Sequence, residues 1–313
     1  MPFTAKSGKF NAKINTVVVG TGDKAITIGG ENVLPFYTFD DAIENAPKVG
    51  IEITDGGLAA EPECIQKFYE GCTTVADMAK KAATFEGVDF LSIRLEGGDP
   101  NGENKSTEEL IQLVQEVADA VDVPLVVCGC KNVEKDAELL DKAASVLAGR
   151  NAMILAAKEE NYKTIGASAG LAYKQIVGAE SAVDINLAKQ LNVLLTQLGV
   201  DGKSVVMNVG SAAAGYGFEY VVSTMDRVKA AALQQGDATL QMPIITPVAS
   251  ETWSVKEAIS TEEDSPEWGS QEERGIDMEI ETAAAVLASG SNAVILRHPE
   301  SVKTIKNLIS ALV

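Results

Sequence analysis

One histidine, His298, is all that the 313 residues contain. A multi-histidine metal site and a histidine relay spread over the chain are thereby excluded. Four cysteines, Cys64, Cys72, Cys128 and Cys130, are too few to staple a chain of this size, so reduced thiols are expected. Nor do they make a cluster site, which needs about four thiolates. Cys64 and Cys72 stand at no cluster spacing from Cys128 and Cys130, and the latter two, on one strand, read as ordinary buried cysteines. No run reaches the roughly 18 apolar residues of a membrane helix. The opening Met1-Pro2-Phe3-Thr4-Ala5-Lys6 lacks the apolar run of a signal peptide. Positive charge is also scarce: 26 Lys and Arg stand against 45 Asp and Glu, a net charge of −19. That balance argues against nucleic-acid binding and against docking on an anionic membrane, both of which need a basic face. It favours a soluble cytoplasmic protein whose partner is less acidic.

What is present is alternation. Hydrophobic residues make up 46% of the chain, enough for a full core. Short apolar runs at 49–55, 89–96, 124–130, 152–158, 175–179, 204–210, 242–248 and 292–297 read as strands. Longer helical runs follow each, at 74–85, 106–121, 135–147, 162–173, 184–198, 218–233, 276–288 and 299–312. Leu110, Val114, Val117 and Val121 form one helical face, and Ser106-Thr107-Glu108-Glu109 before it reads as a capping box. Gly199, Gly236 and Gly290 suit left-handed helix ends, and Pro299 suits a first turn. Eight consecutive strand–helix units predict a (β/α)₈ TIM barrel, which typically takes about 250 residues. A doubly wound open sheet is the competing architecture. Two β-rich pieces at 16–19 and 25–28 flank Gly20-Thr21-Gly22-Asp23 and read as a hairpin plugging the N-terminal mouth. The expected layout is therefore hairpin and lead-in over 1–48, then one barrel over 49–313, with no linker.

One connection breaks the rhythm. Residues 250–275, between strand seven and its helix, contain Glu262-Glu263-Asp264 and carry both tryptophans, Trp253 and Trp268. Such a loop is either a solvated acidic insertion or a lid or binding loop.

In a barrel, function sits at the C-terminal ends of the strands. The candidates there are Asp55, Glu96, Asp99, Cys130, Lys158, Ser181, Asn208, Gly210, Glu251 and Arg297. Strand alternation turns Leu91, Ile93, Leu95, Ile51 and Ile53 toward the helices. It turns Gly50, Glu52, Thr54, Phe90, Ser92, Arg94, Glu96, Ala293, Ile295 and Arg297 toward the axis. Buried charges must be paired, so Glu52, Arg94, Glu96 and Arg297 are predicted to form an inward ion-pair cluster, structural or functional. Lys158 could form a Schiff base if desolvated, but Glu159 and Glu160 beside it favour the charged form. Gly97-Gly98-Asp99-Pro100-Asn101-Gly102 is a turn cluster. Gly210-Ser211-Ala212-Ala213-Ala214-Gly215-Tyr216-Gly217 opens a helix but is no P-loop, since Tyr216-Gly217 stands where Lys-Ser/Thr is required. It reads as a flexible turn, or as a smooth loop suited to close approach of a large flat ligand.

Several strings, taken together and in order, resemble the small subunit of the corrinoid/iron–sulfur protein of the acetyl-CoA (Wood–Ljungdahl) pathway. They are Pro124-Leu125-Val126-Val127 with Gly129-Cys130, Val133-Glu134-Lys135-Asp136, and Glu160-Asn161-Tyr162-Lys163. Asp184-Ile185-Asn186 with Lys189-Gln190-Leu191-Asn192 follows, then Gly215-Tyr216-Gly217 with Glu219-Tyr220. Near the end come Met242-Pro243, Glu251 with Trp253, Lys256-Glu257-Ala258, Arg274-Gly275 and Arg297-His298-Pro299-Glu300.

The resemblance implies a TIM-barrel subunit paired with a larger subunit that carries an iron–sulfur cluster and the corrinoid-binding domain. The corrinoid would lie between the two, over the barrel's C-terminal mouth. Its cobalt would accept a methyl group from methyltetrahydrofolate through a separate methyltransferase and pass it to acetyl-CoA synthase/CO dehydrogenase. No family motif assigns roles to single residues. On barrel geometry the corrinoid-facing set is Glu96, Gly98, Asp99, Asn208, Gly210, Ser211, Gly215, Tyr216, Glu251 and Arg297, with no catalytic residue and no metal ligand assigned. The alternative is a stand-alone pterin-binding methyltransferase barrel acting on methyltetrahydrofolate, with Asp55, Asp184, Asn186 and Asn208 as its pocket. An aldolase-type barrel rests on Lys158 alone.

Overall fold

The alternation closes on itself. A computed structural model describes residues 8–313, so the six-residue opening weighed above as a leader lies outside the described residues. A hairpin of β1 (Thr16–Val19) and β2 (Ile26–Gly29) comes first. Eight parallel strands follow: β3 (Lys48–Thr54), β4 (Phe90–Arg94), β5 (Leu125–Cys128), β6 (Met153–Ala157), β7 (Ile176–Glu180), β8 (Val205–Asn208), β9 (Ile245–Pro247) and β10 (Ala293–Leu296). Each pairs with its neighbour in sequence except β8 with β9, and β10 pairs with β3. A parallel bridge between Met207 and Ile244, with Met207 N–H donating to the Pro243 carbonyl at 2.8 Å, joins β8 to β9. An open doubly wound sheet would leave two edges; this ring is nearly closed.

Helices α1 (Val75–Ala82), α2 (Thr107–Ala120), α3 (Val133–Val146), α4 (Tyr162–Ile165), α5 (Ile185–Leu198), α6 (Phe218–Lys229), α7 (Gln271–Ser289) and α8 (Pro299–Leu312) cover the outside. Ser106 caps α2 by accepting from Glu109 N–H at 3.2 Å, but the return bond of a full capping box is made instead at Thr74 and Asp77 on α1. Gly199 ends α5 at φ 108°, and Pro299 opens α8.

Strand alternation sorts the core into two shells. Ile51, Ile53, Leu91, Ile93 and Leu95 pack outward against the helices. Phe90, Val126, Cys128, Met153, Ile176, Val206, Ala293 and Ile295 fill the axis, and Val17, Val19 and Ile28 of the hairpin join them. The hairpin lies at the strands' N-terminal ends. There Gly20 N–H donates to Asn151 O at 2.8 Å and Asn15 N–H to Gln241 O, just ahead of β6 and β9. Buried Lys229 of α6 holds Glu31 of the lead-in at 2.6 Å and Asn292 at 3.0 Å. The plug is thus tied down by backbone and by charge.

The axis is full at Gly50, where an added Cβ would run into the Phe90 ring. Gly50→Ala should cost about 1–3 kcal/mol by overpacking. Adding Phe90→Leu should return part of that loss in urea melts; strictly additive costs would refute the close contact.

Candidate functional site

The C-terminal mouth is built on one buried carboxylate. Glu52 of β3 accepts from Arg94 Nε at 2.9 Å and from Arg297 at 2.8 Å. Its side chain is wholly buried, and those of Arg94 and Arg297 are 6% and 9% exposed. Burial alone would raise the Glu52 carboxyl, but the two guanidiniums outweigh it and hold it below the usual carboxylate range. Glu96 stands 3.9 Å from both guanidiniums and is half exposed. The predicted four-residue cluster therefore forms, three members buried and one at the rim. Behind it, Glu279 of α7 accepts the backbone N–H groups of Arg297 at 2.6 Å and His298 at 3.1 Å. Burial, opposed by those amides, pushes Glu279 up to about 7.

His298 is buried. It accepts from Glu300 N–H through Nδ1 at 3.2 Å, which leaves its proton on Nε2. It lies flat against Trp253 with centroids 6.0 Å apart and edge-on to Phe68 at 5.0 Å. Burial, opposed by Glu272 at 3.3 Å from Nε2, pushes it down to about 4, so it is neutral near pH 7 and serves as a helix cap and a packing surface.

Beside this lattice a cavity of about 260 Å³ opens at the mouth. Arg94 lies on its floor, flanked by Lys131 and Glu251 (2.9 Å apart) and by Lys158 and Glu180 (3.0 Å apart). Asn208, Gly210 and Ser211 form the strand-six side, with Ala182 and Val183 beside them. Asn208 Nδ2 donates to Glu180 at 3.3 Å, and its Oδ1 accepts from Gly210 N–H at 3.1 Å. Three non-glycine residues in this wall have left-handed backbone: Lys131 at φ 70°, Ala182 at 45° and Val183 at 60°. A β-branched residue there is strained. Gly210, at φ 105°, packs so closely on Val183 that a side chain would be strained in both conformation and space.

The residues expected to face a corrinoid divide accordingly. Asn208, Gly210, Ser211 and Glu251 line the cavity. Glu96 and Arg297 belong to the adjoining lattice. Gly98 lies buried against Leu110, Leu139 and Cys130, and Asp99 accepts from Asn101 N–H at 2.9 Å in its own turn. Gly215 lines a separate surface groove with Phe218, and Tyr216 donates to Glu257 at 2.6 Å while half exposed. Of the alternative pterin set, only Asn208 reaches the cavity. Asp55 is fixed to Lys105 at 2.7 Å and to Gly97 N–H at 2.9 Å, while Asp184 caps α5 through the N–H groups of Asn186 and Leu187. Lys158 pairs with Glu180, not with the adjacent Glu159 or Glu160. Ser181 is buried, and Cys130 donates to Asp136 at 3.2 Å while burial pushes its thiol up to about 12.

The 250–275 connection is not structureless. Short helices Ala249–Thr252 and Lys256–Ile259 order it, and α7 begins at Gln271, ahead of the expected 276. Trp253 is its buried anchor. Trp268 takes Lys256 and Arg274 over its ring at 4.9 and 5.6 Å.

Sequence reasoning missed Lys131, Glu180 and Glu279. Strand five was read as ending one residue before Glu180. The stripe Gly275, Glu279, Thr282, Ala283 and Val286, buried at helical spacing, carried the signal for Glu279.

Two predictions follow from the charges. Glu52→Gln leaves two buried guanidiniums without their anion and should cost about 3–5 kcal/mol. Glu96→Gln, at the half-exposed rim, should cost less than about 1 kcal/mol; equal losses in urea melts would contradict the lattice. Glu61, buried beside it, is pushed up to about 7 by burial, partly offset by Arg297 and reinforced by Glu52 and Glu96. A folded-state value above the unfolded 4.5 means that its contribution is full below pH 4.5 and is lost as pH rises through about 7. Relative to Glu61→Gln, the unmodified chain should lose on the order of 3 kcal/mol across that window; parallel stability profiles would contradict it.

The family model for the CO dehydrogenase/acetyl-CoA synthase delta subunit matches residues 16–306. The acetyl-CoA decarbonylase/synthase complex subunit delta of Archaeoglobus fulgidus is 31% identical across 97% of this chain and 69% of its own length. Subunit delta 1 of Methanosarcina thermophila is 32% identical across 94% of this chain and 67% of its own. The subunit delta of Methanocaldococcus jannaschii is 32% identical across 92% of this chain and 70% of its own. Among solved structures, a dihydropteroate synthase of Xanthomonas albilineans overlays with a TM-score of 0.58 at 12% identity, covering 95% of this chain and 98% of that one. One from Vibrio fischeri gives 0.57 at 10% identity, covering 94% and 97%. These last two likenesses are of fold alone. The chain belongs to the CO dehydrogenase/acetyl-CoA synthase delta-subunit family.

Proposed function

We propose that this chain is the small subunit of a heterodimeric corrinoid/iron–sulfur methyl carrier, with its C-terminal mouth covering one face of the corrinoid. The observation that carries the reading is the family match, which spans the hairpin and all eight barrel strands. The rim supports it. Its 210–217 segment offers Gly210, Ala212 and Ala214, small residues that let a broad flat ring come close. Val183, Tyr216, Tyr220 and Ile259 are exposed near the same end and suit a protein partner.

When bound, the corrinoid supplies methyl acceptance and donation at cobalt, from methyltetrahydrofolate through a methyltransferase to acetyl-CoA synthase. This chain's part is different. Charges at its strand ends are held in pairs, so the mouth is a fixed polar wall. A wall of this kind keeps water from the face it covers and leaves the other face to a movable partner. In this reading the iron–sulfur cluster belongs to the larger subunit, and the assembly works in the cytoplasm.

Native mass spectrometry of the affinity-tagged chain, purified anaerobically from its own cells, tests the reading. A one-to-one complex with a larger chain, carrying the mass of a corrinoid and an iron–sulfur cluster, is expected. A homo-oligomer without corrinoid that binds methyltetrahydrofolate would overturn it in favour of a stand-alone methyltransferase.

A further inference from the structure

We propose that a groove beside the Glu52 lattice is a binding site for a linear polyamine, with the Glu61 carboxylate as its buried contact. The groove lies between the chain that leaves β3, at 61–66, and the 261–272 part of the connection into α7, and its volume is about 620 Å³. That is within the roughly 300–1,000 Å³ of small-molecule sites. Glu61, Glu63, Glu262 and Glu272 line it, and no Lys, Arg or His does. Of the four, only Glu272 has an ion-pair partner among the described residues, taking Lys67 at 2.6 Å and standing 3.3 Å from His298. A cationic guest therefore meets net negative charge.

Glu61 separates this groove from an ordinary acidic surface. Its side chain lines the groove, yet the residue is only 4% exposed, and its Oε2 has no hydrogen-bond partner among the described residues. A buried carboxyl with an unused oxygen is costly. Its backbone is fixed: Glu61 N–H donates to Leu58 O at 3.2 Å, and Gln66 Nε2 donates to the Glu61 carbonyl at 2.7 Å. On the barrel side it faces Arg297, Glu52, Glu96 and the Tyr69 hydroxyl; on the groove side it faces the other three carboxylates. A donor arriving through the groove would satisfy the free oxygen, and a cationic one would offset the burial that pushes this carboxyl up to about 7.

The shape of the guest follows from how the charges are spread. No three His, Cys, Asp or Glu among the described residues come together as a metal-ion site, so the negative charge runs along the groove and is not focused on one point. A compact divalent cation wants several oxygens at once. A linear polyamine spreads its charge in the same way, with N–H donors on each ammonium group and methylenes between them. Pro62 and Cys64 offer those methylenes apolar surface. A terminal ammonium on a slender alkyl chain can also reach a carboxyl that is almost closed to solvent. The site asks nothing of a corrinoid, and it stands or falls apart from the methyl-carrier reading.

Calorimetry on the full-length chain tests the site, at about 0.15 M salt so that diffuse surface attraction is screened. The probes are spermidine, Mg²⁺ and the peptide acetyl-Lys-Ala-Lys-amide. Glu61→Gln removes the buried charge and keeps the shape, while Glu138→Gln, exposed on α3, removes one charge elsewhere. Melting curves establish that both variants are folded. Spermidine binding that is at least about tenfold weaker in Glu61→Gln and unchanged in Glu138→Gln supports the site. At about pH 6.5 the same binding should release protons from the unmodified chain but not from Glu61→Gln, read from the dependence of the heat on buffer ionisation. Equal weakening in the two variants, displacement of spermidine by equimolar Mg²⁺, or no spermidine binding overturns the proposal. Peptide binding that needs Glu61 while spermidine does not bind overturns it too, and makes the groove a docking surface for a basic polypeptide.

Discussion

Glu52 has both carboxylate oxygens engaged, one by Arg94 and one by Arg297, with its side chain shut off from solvent. The partners lie 42 and 245 positions away in sequence. They come from the ends of β4 and β10, the two neighbours of β3. One carboxylate therefore pins the first strand of the barrel to the second and to the last. Desolvating three charges is costly, and the geometry repays it only while all three stay together. This is why the C-terminal end is set so firmly: the floor of the mouth cavity is Arg94, and Arg94 has its place because of Glu52.

A second layer braces the first. Glu279 reaches from α7 to the N–H groups of Arg297 and His298, so the last strand's end is gripped from behind. His298 caps α8 and stacks on Trp253, and Trp253 roots the 250–275 connection. Arg274 then closes that connection on itself through the carbonyls of Glu257 and Ser260. The segment that reads in sequence as either a solvated acidic insertion or a binding loop is an ordered flank of the mouth.

The barrel was legible because its signal is repetitive: eight apolar runs, each followed by a helical stripe, with alternation that places Phe90 inside and Leu91 outside. The Glu52–Arg94–Arg297 lattice was legible for the same reason, since a charge at an inward strand position must find a partner. Lys131 and Glu180 were not, because strand ends shift by a residue or two and pairs across adjoining loops have no sequence spacing. Gly98 and Asp99 show the reverse fault. They sit at a strand end, as expected, but the short turn there folds inward and is used up by its own packing.

A mouth held this rigidly suits a surface against which other parts move. Hydrogen exchange measured on this chain, free and in complex with the larger subunit proposed as its partner, asks the central question most directly. Protection on complex formation should concentrate at 131, 182–183, 210–217 and 251, around the mouth. Protection confined to the hairpin at 16–29, at the opposite end of the barrel, would contradict the account.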